Sequence, residues 1–406
     1  MVSALFFIII INIIFFITTE HLITREITMT DVQTIRKVAI ATGGGDAPGL
    51  NAVIRAAVLA GIAHGWEMVG IRDGYNGLMM PEKYVNGGVV RLTRDSVRGI
   101  THLGGTIIGT TNKGNPFHFP IRNPDGTYTE MDRSDELLRA FAMHEIDALI
   151  SVGGDGSMSI ANGLAQKGLH VVGVPKTIDN DLDETVVTFG FDTAVSFAVE
   201  CLDRLHATAA SHGRVLVVEV MGRYAGWIAL EAGVAGSADV ILIPEIPFDL
   251  QGVAEKILKR EKGGSNFSII VVAEGAKPIG GDVMVMSKEV GRAERLGGIG
   301  ERITEELQKL TNKEARLVVL GHLLRGGTPT SNDRLIALRF GAAAVRALSE
   351  GQSGVMVALD PPIVKYVPLA DATKRMKNVP LDCDTILTAR DLGICLGDRL
   401  PTAGAD

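Results

Sequence analysis

The stretch KVAIATGGGDAPGLN, residues 37–51, decides the fold. Its first six residues are a short apolar run, which predicts a buried strand, and a glycine-rich turn follows at once. Residues 50–64 then carry Leu50, Ile54, Val58 and Ile62 near helical spacing. Residues 69–71 read as the next short strand, giving strand, glycine turn, helix, strand. The pattern returns downstream. Residues 148–152 predict a strand, Gly153-Gly154-Asp155-Gly156 a turn, residues 157–167 a helix, and residues 170–174 another strand. Residues 215–220, 268–273 and 316–320 are further β-branched, apolar strands. Repeated strand–turn–helix order predicts an α/β fold of two Rossmann-like lobes, with mainly parallel sheets covered by helices and the active site between them. In such sheets ligands sit at the carboxyl ends of the strands, where the glycine and acid clusters fall. Residues 112–133, rich in Asn, Pro and Gly, read as a surface loop.

Composition narrows the function. The chain has 406 residues, 46% apolar and 21% charged, which is ample for the core of a soluble globular protein. Lys and Arg number 40 against 47 Asp and Glu, a net charge of −7, so no basic face for nucleic acid is expected. Any anionic ligand must be held by local cations and backbone N–H groups. Three cysteines, Cys201, Cys383 and Cys395, exclude a disulfide framework and a CxxC metal site, and fit a reducing, cytoplasmic setting. Residues 5–17 form an apolar run broken only by Asn12. It is shorter than the roughly 18–20 residues that cross a bilayer, and no Lys or Arg precedes it as in a secretory signal. The expectation is an extension ahead of a true start near Met29, with a membrane anchor or a signal as the alternatives. Residues 1–28 are therefore left out of the fold reading.

Three clusters could carry chemistry. The turn at 43–45 lets backbone N–H groups approach a phosphate, with a helix N-terminus behind it. Such a turn equally serves to pack a helix on a sheet, and it lacks the P-loop and GxGxxG spacings. The turn Gly153–Ser157 repeats the device with Asp155, which suits a Mg²⁺ bridging to phosphate or a simple helix cap. The segment Pro175-Lys176-Thr177-Ile178-Asp179-Asn180-Asp181 crowds two carboxylates beside a lysine after a strand. They could take a hydroxyl proton and hold a metal; an Asx-rich turn is the plainer reading. Arg214, Arg223, Arg316, His322 and Arg325 add cations near strand ends, and arginine suits phosphate.

The ordered set GGDAPGLN, GGDGS, PKTIDND, FGFDTA, VEVMGRYAGW, AEG and LGHLLRGG resembles the 6-phosphofructokinases over some 300 residues. The resemblance implies phosphoryl transfer from ATP, with Mg²⁺, to the 1-hydroxyl of fructose 6-phosphate in glycolysis. Asp179 matches the base, with Thr177, Ile178 and Asp181 beside the substrate, and Asp155 matches the metal site. Gly44 and residues 154–157 (Gly154, Asp155, Gly156, Ser157) match the donor-phosphate cradle, joined by Asn112 and Lys113 where bacterial relatives carry Arg. Met221, Gly222, Arg223, Glu274, His322 and Arg325 match the sugar-phosphate pocket. Arg214 and Arg316 match arginines that cross from a neighbouring subunit, which implies a homo-oligomer, dimer or tetramer. The implied lobes are residues 36–190 with about 325–370 for the donor, and 191–324 with the C-terminal segment for the sugar phosphate.

The donor signature is mixed. Pyrophosphate users of the family carry Asp at the position of Gly156 and Lys at that of Lys176. Gly156 leaves room for the α-phosphate of ATP, and Lys176 adds only a cation, so ATP is expected. A pyrophosphate-dependent enzyme and a catalytically inactive, sugar-phosphate-binding regulatory subunit are the alternatives. Intact Asp155 and Asp179 speak against the second. Among the positions where bacterial members bind effectors, Arg55 matches, but Leu59, His206 and residues 263–266 stand where Arg or Lys is expected. Effector control is not carried over to this chain.

Overall fold

The computed structural model describes residues 35–287 and 295–398. The apolar run near the N-terminus, and the expectation attached to it, lies outside them. Strand Lys37–Thr42 sits inside a sheet ordered Ile363–Pro368, Val355–Asp360, His170–Thr177, Ala148–Gly153, Lys37–Thr42, Glu67–Ile71, Val89–Leu92. Phe189–Gly190 pairs with the end of His170–Thr177. The inner pairings are parallel, with Ile40 opposite both Gly70 and Ile150. The two outermost strands run antiparallel to their neighbours. A second, fully parallel sheet is ordered Val240–Leu242, Ser268–Ala273, Val215–Val220, Ala315–Val319. The expected α/β class with mainly parallel sheets is what the chain adopts.

The apolar runs become inner strands because both of their faces are covered. In Val215–Val220 alternate residues serve opposite cores. Leu216, Val218 and Val220 pack with Ile269 and Val271, while Val215 and Val217 pack with Ile270 and Val272. Helices Leu50–Ala63 and Ser331–Ser349 cross closely over the first sheet. Gly341 permits the crossing, since a Cβ there would lie 2.5 Å from the Val53 carbonyl oxygen. Among the described residues no helix is long and apolar enough to cross a membrane.

Some boundaries differ from the sequence reading. The expected loop 112–133 contains a β-hairpin, Phe119–Arg122 paired with Tyr128–Met131. Its strands are only four residues long and the second is exposed throughout, so no long apolar run announces them. The turn chemistry does: Asp125 Oδ1 accepts from Thr127 N at 2.9 Å, and Gly126 has φ 87°. The helix expected from 157 begins at Asp155, and the strand expected to end at 174 runs through Pro175 to Thr177.

The sheet topology positions the site. The carboxyl ends at Thr42, Gly153 and Thr177 in one sheet, and at Val220, Ala273 and Val319 in the other, open onto a common cleft of about 1290 Å³.

Candidate active site

Three turns from the first sheet build one wall of the cleft. Gly43 and Gly44 donate their N–H groups at 2.9 Å to the carbonyls of Val152 and Thr111. Their amides are thus spent inside the fold, and what these glycines offer a ligand is close approach. The expectation that they present N–H groups is corrected on this point. Their lack of side chains also makes room for neighbours: a Cβ at Gly45 would lie 2.6 Å from Arg325 Nη1, and one at Gly43 2.6 Å from Ser157 Oγ. Lys176 Nζ donates to the Gly45 carbonyl and Arg325 Nη1 to that of Asp46, the latter at 3.2 Å. Two cations therefore converge on the loop. Lys176 is 3% exposed. Burial, then the Arg325 charge, pulls its pKa down to about 8.

Gly154 precedes helix Asp155–Gln166, whose first turn lines the cleft with Asp155, Gly156 and Ser157. A Cβ added at Gly156 meets nothing within 4 Å. Asn112 and Lys113 line the same end.

At the floor, the turn after His170–Thr177 is held by its own side chains. The Asp179 N–H donates to Thr177 Oγ1 at 3.0 Å. Asn180 takes the left-handed conformation, φ 52°, and its Oδ1 accepts from Thr188 N at 3.2 Å. This places Asp179 and Asp181 on either side of the turn, both lining the cleft. Asp179 is 4% exposed. Its Oδ1 and that of Asp181 are buried with no hydrogen-bond partner. Burial, then the Asp181 charge, raises the Asp179 pKa to about 6 against the pull of Arg325, Arg223 and Lys176. Burial also raises Asp181. Asp155 is raised by burial and by Asp181.

The second sheet supplies the opposite wall. Arg223 takes φ 50°, and its N–H donates to Glu274 Oε1 at 3.0 Å. Gly275 lets the two turns meet, since a Cβ there would fall 1.9 Å from the Arg223 carbonyl oxygen. Burial raises the Glu274 pKa to about 7. Met221, His322 and Arg325 complete the wall.

The structure brings most of the expected residues together; Ile178 and Gly222 are outside the cleft lining, and Arg214 and Arg316, expected to cross to a neighbouring copy, lie away from it. Ile178 is fully buried in the core beside Ala47 and Phe191, so its side chain faces no ligand. Gly222, with φ 142°, is not among the residues lining the cleft. Arg214 precedes strand Val215–Val220, and Arg316 sits near the start of Ala315–Val319, opposite Leu216. These are amino ends, a strand length of roughly 20 Å from the carboxyl ends that form the cleft. Both arginines pair with Glu314, at 2.8 Å and 2.5 Å. The sequence reading overlooked Tyr75, whose hydroxyl meets Ser151 Oγ at 3.3 Å in the cleft wall, and the segment Thr373–Met376, which also lines it. Neither carries a local motif.

Among the described residues no group of three or more His, Cys, Asp or Glu could hold a metal on its own. The pair Asp155 and Asp181, with a buried unpartnered oxygen on Asp181, fits a different habit: Mg²⁺ held by one or two carboxylates plus substrate phosphates.

The family model for phosphofructokinase matches residues 37–348. The chain belongs to the phosphofructokinase family. It is 52% identical over 368 residues to the ATP-dependent 6-phosphofructokinase of Chloroflexus aurantiacus, covering 90% of this chain and 99% of that one. It is 47% identical over 350 residues to the pyrophosphate–fructose 6-phosphate 1-phosphotransferase of Amycolatopsis mediterranei, covering 85% and 97%. The solved phosphofructokinase of Pichia pastoris in the T-state superposes with a TM-score of 0.69 at 32% identity, over 86% of this chain. This chain spans only 36% of that larger one. The phosphofructokinase motifs of the sequence are therefore the three turns and the opposite wall described above.

Proposed function

We propose that the protein transfers the γ-phosphoryl group of ATP to the 1-hydroxyl of fructose 6-phosphate, giving fructose 1,6-bisphosphate and ADP in glycolysis. The observation that carries the reading is Asp179: a buried carboxylate with a free oxygen aimed into a cleft ringed by cations. Phosphoryl transfer asks for positioning, charge neutralisation and one base. Asp179 accepts the hydroxyl proton as the new O–P bond forms and the bond to the β-phosphate oxygen breaks. Its pKa, raised only to about 6, leaves it mostly ionised at neutral pH while making it a stronger base than an ordinary aspartate. Arg223, Arg325 and Lys176 meet the charge on the transferred group. Asp155, with Asp181 near it, is the residue that would hold Mg²⁺, whose chemistry is neutralisation of the phosphate oxygens.

The donor lies along residues 154–157 with Gly44, Asn112 and Lys113, in the lobe of residues 36–190 and about 325–370. The sugar phosphate lies against Thr177, Met221, Arg223, Glu274, His322 and Arg325, toward the lobe of residues 191–324. Arg214 and Arg316 reach the 6-phosphate of a neighbouring copy, so the working form is a homo-oligomer. Their distance from their own cleft supports this: a single copy cannot use them. The setting is cytoplasmic. The open space at Gly156 supports ATP as donor. The buried Lys176 is the feature that favours pyrophosphate. A coupled assay of purified protein with fructose 6-phosphate, Mg²⁺ and either donor decides between them. Faster turnover with pyrophosphate at equal concentration would overturn the ATP reading. Sugar-phosphate binding without turnover on either donor would leave a binding subunit.

A further inference from the structure

The catalytic turn is gripped by a side chain from nearly 200 residues away. Lys377 Nζ donates to Asn180 Oδ1 at 3.1 Å, to the Thr185 carbonyl at 3.0 Å and to the Val186 carbonyl at 2.6 Å. All three ammonium protons are thus used. The segment around Lys377 is strapped along the turn by its backbone as well. The Lys377 N–H donates to the Asp181 carbonyl at 2.8 Å, and Leu182 bridges Met376. Trp227 Nε1, from the second sheet's side, donates to the Lys377 carbonyl at 2.9 Å, and its ring lies 5.3 Å from Lys377 Nζ. Asn180 is the residue that needs this grip. It is the left-handed, non-glycine pivot between the two aspartates, a conformation that costs free energy unless its surroundings impose it.

We propose that Lys377 is a positioning residue: its ammonium fixes the Asn180 amide, and through it the angle at which Asp179 faces the acceptor hydroxyl. This rests on the reading of Asp179 as the base. The ammonium serves the turn, whereas the backbone strap serves the fold. A variant that keeps the strap and loses the ammonium therefore separates the two roles.

Lys377→Met is that variant, because its chain still covers Trp227 and its backbone bonds remain. The expected result is a fall in kcat of about 10²-fold, the cost of misplacing a reacting group by about 1 Å, with KM for fructose 6-phosphate within about 3-fold. A purely structural role would instead lower melting temperature, with kcat per folded molecule unchanged. Asn180→Ala cuts the same link from the other side, together with the Thr188 N–H bond to the same oxygen, and leaves Lys377 two carbonyl acceptors. It should reproduce the kcat loss, and the double variant should be no slower than the worse single. If Lys377→Met fails to fold, Lys377→Leu, which likewise keeps the backbone strap and loses the ammonium, is measured in its place. Turnover within about 3-fold of the unsubstituted protein in the folded variants, or additive losses in the double variant, would overturn the inference. Asp179→Asn is measured alongside. If it too keeps full turnover, the reading of the base has failed; if it is inactive while Lys377→Met is normal, only the role of Lys377 has.

Discussion

Replacing Gly156 by Asp tests the choice of donor at one atom-scale feature. The substitution should fold without cost. Gly156 holds an ordinary backbone conformation, its added Cβ meets nothing within 4 Å, and it sits in the first turn of helix Asp155–Gln166. An acidic residue there is favoured by the helix dipole by about 0.3–1 kcal/mol, and glycine is a poor helix former. The melting temperature should stay level or rise slightly. Function should respond differently, because the open space is where a nucleotide's α-phosphate would lie. A carboxylate at ~5 Å from a phosphate charge, with an effective dielectric of ~20, repels it by about 3 kcal/mol. That corresponds to a loss on the order of 10²-fold in kcat/KM for ATP. Gly156→Ala adds bulk without charge and should lose no more than a few-fold. Pyrophosphate has no α-phosphate of a nucleotide to displace, so Lys176 can still hold it and its turnover should rise. The assay is coupled turnover with each donor beside thermal melting. If Gly156→Asp keeps ATP turnover within about 5-fold at unchanged stability, the donor does not lie against this turn and the steric argument is wrong.

The base, the acid limb and the crossing arginines give the remaining tests. Asp179→Asn should lower kcat by at least about 10²-fold with little change in fructose 6-phosphate binding by calorimetry; near-normal kcat would remove Asp179 from the chemistry. The same variant should be more stable at pH 7 by roughly 1–3 kcal/mol, because the fold raises this pKa and so penalises the ionised form, a penalty that fades as pH falls through about 6; a lower unfolding midpoint in urea would contradict it. Since the base must be ionised, kcat/KM should fall about tenfold per pH unit below about 6, and a flat profile down to pH 5 would reject that pKa. Arg214→Ala and Arg316→Ala should each raise KM for fructose 6-phosphate by about 10–100-fold, as a lost charged hydrogen bond of about 1.5–3 kcal/mol does; unchanged KM in both would make them surface partners of Glu314 only.

What the sequence reveals of this molecule follows from where its signals are local. Lys37–Thr42, Val215–Val220 and Ser268–Ala273 are legible because inner parallel strands are buried on both faces and read as near-continuous apolar runs. The hairpin at Phe119–Met131 is not, because its strands lie mostly in water and select no such run. The three turns of the cleft are legible for a related reason: glycines and aspartates cluster directly after these apolar runs, at the carboxyl ends where parallel sheets hold ligands. A motif nevertheless names neighbours without saying which way they point. Ile178 sits between Thr177 and Asp179 in the motif, yet the turn just past the strand directs it into the core while its neighbours face the cleft. Arg214 and Arg316 likewise lie beside site strands in sequence but at their amino ends, away from the cleft of the same copy. Lys377 marks the limit: its partner Asn180 is 197 residues away, and no spacing connects them. The turn that the motif defines therefore depends on a lysine outside it. The left-handed Asn180 is the visible sign, since a strained pivot between two buried carboxylates requires something else in the fold to hold it.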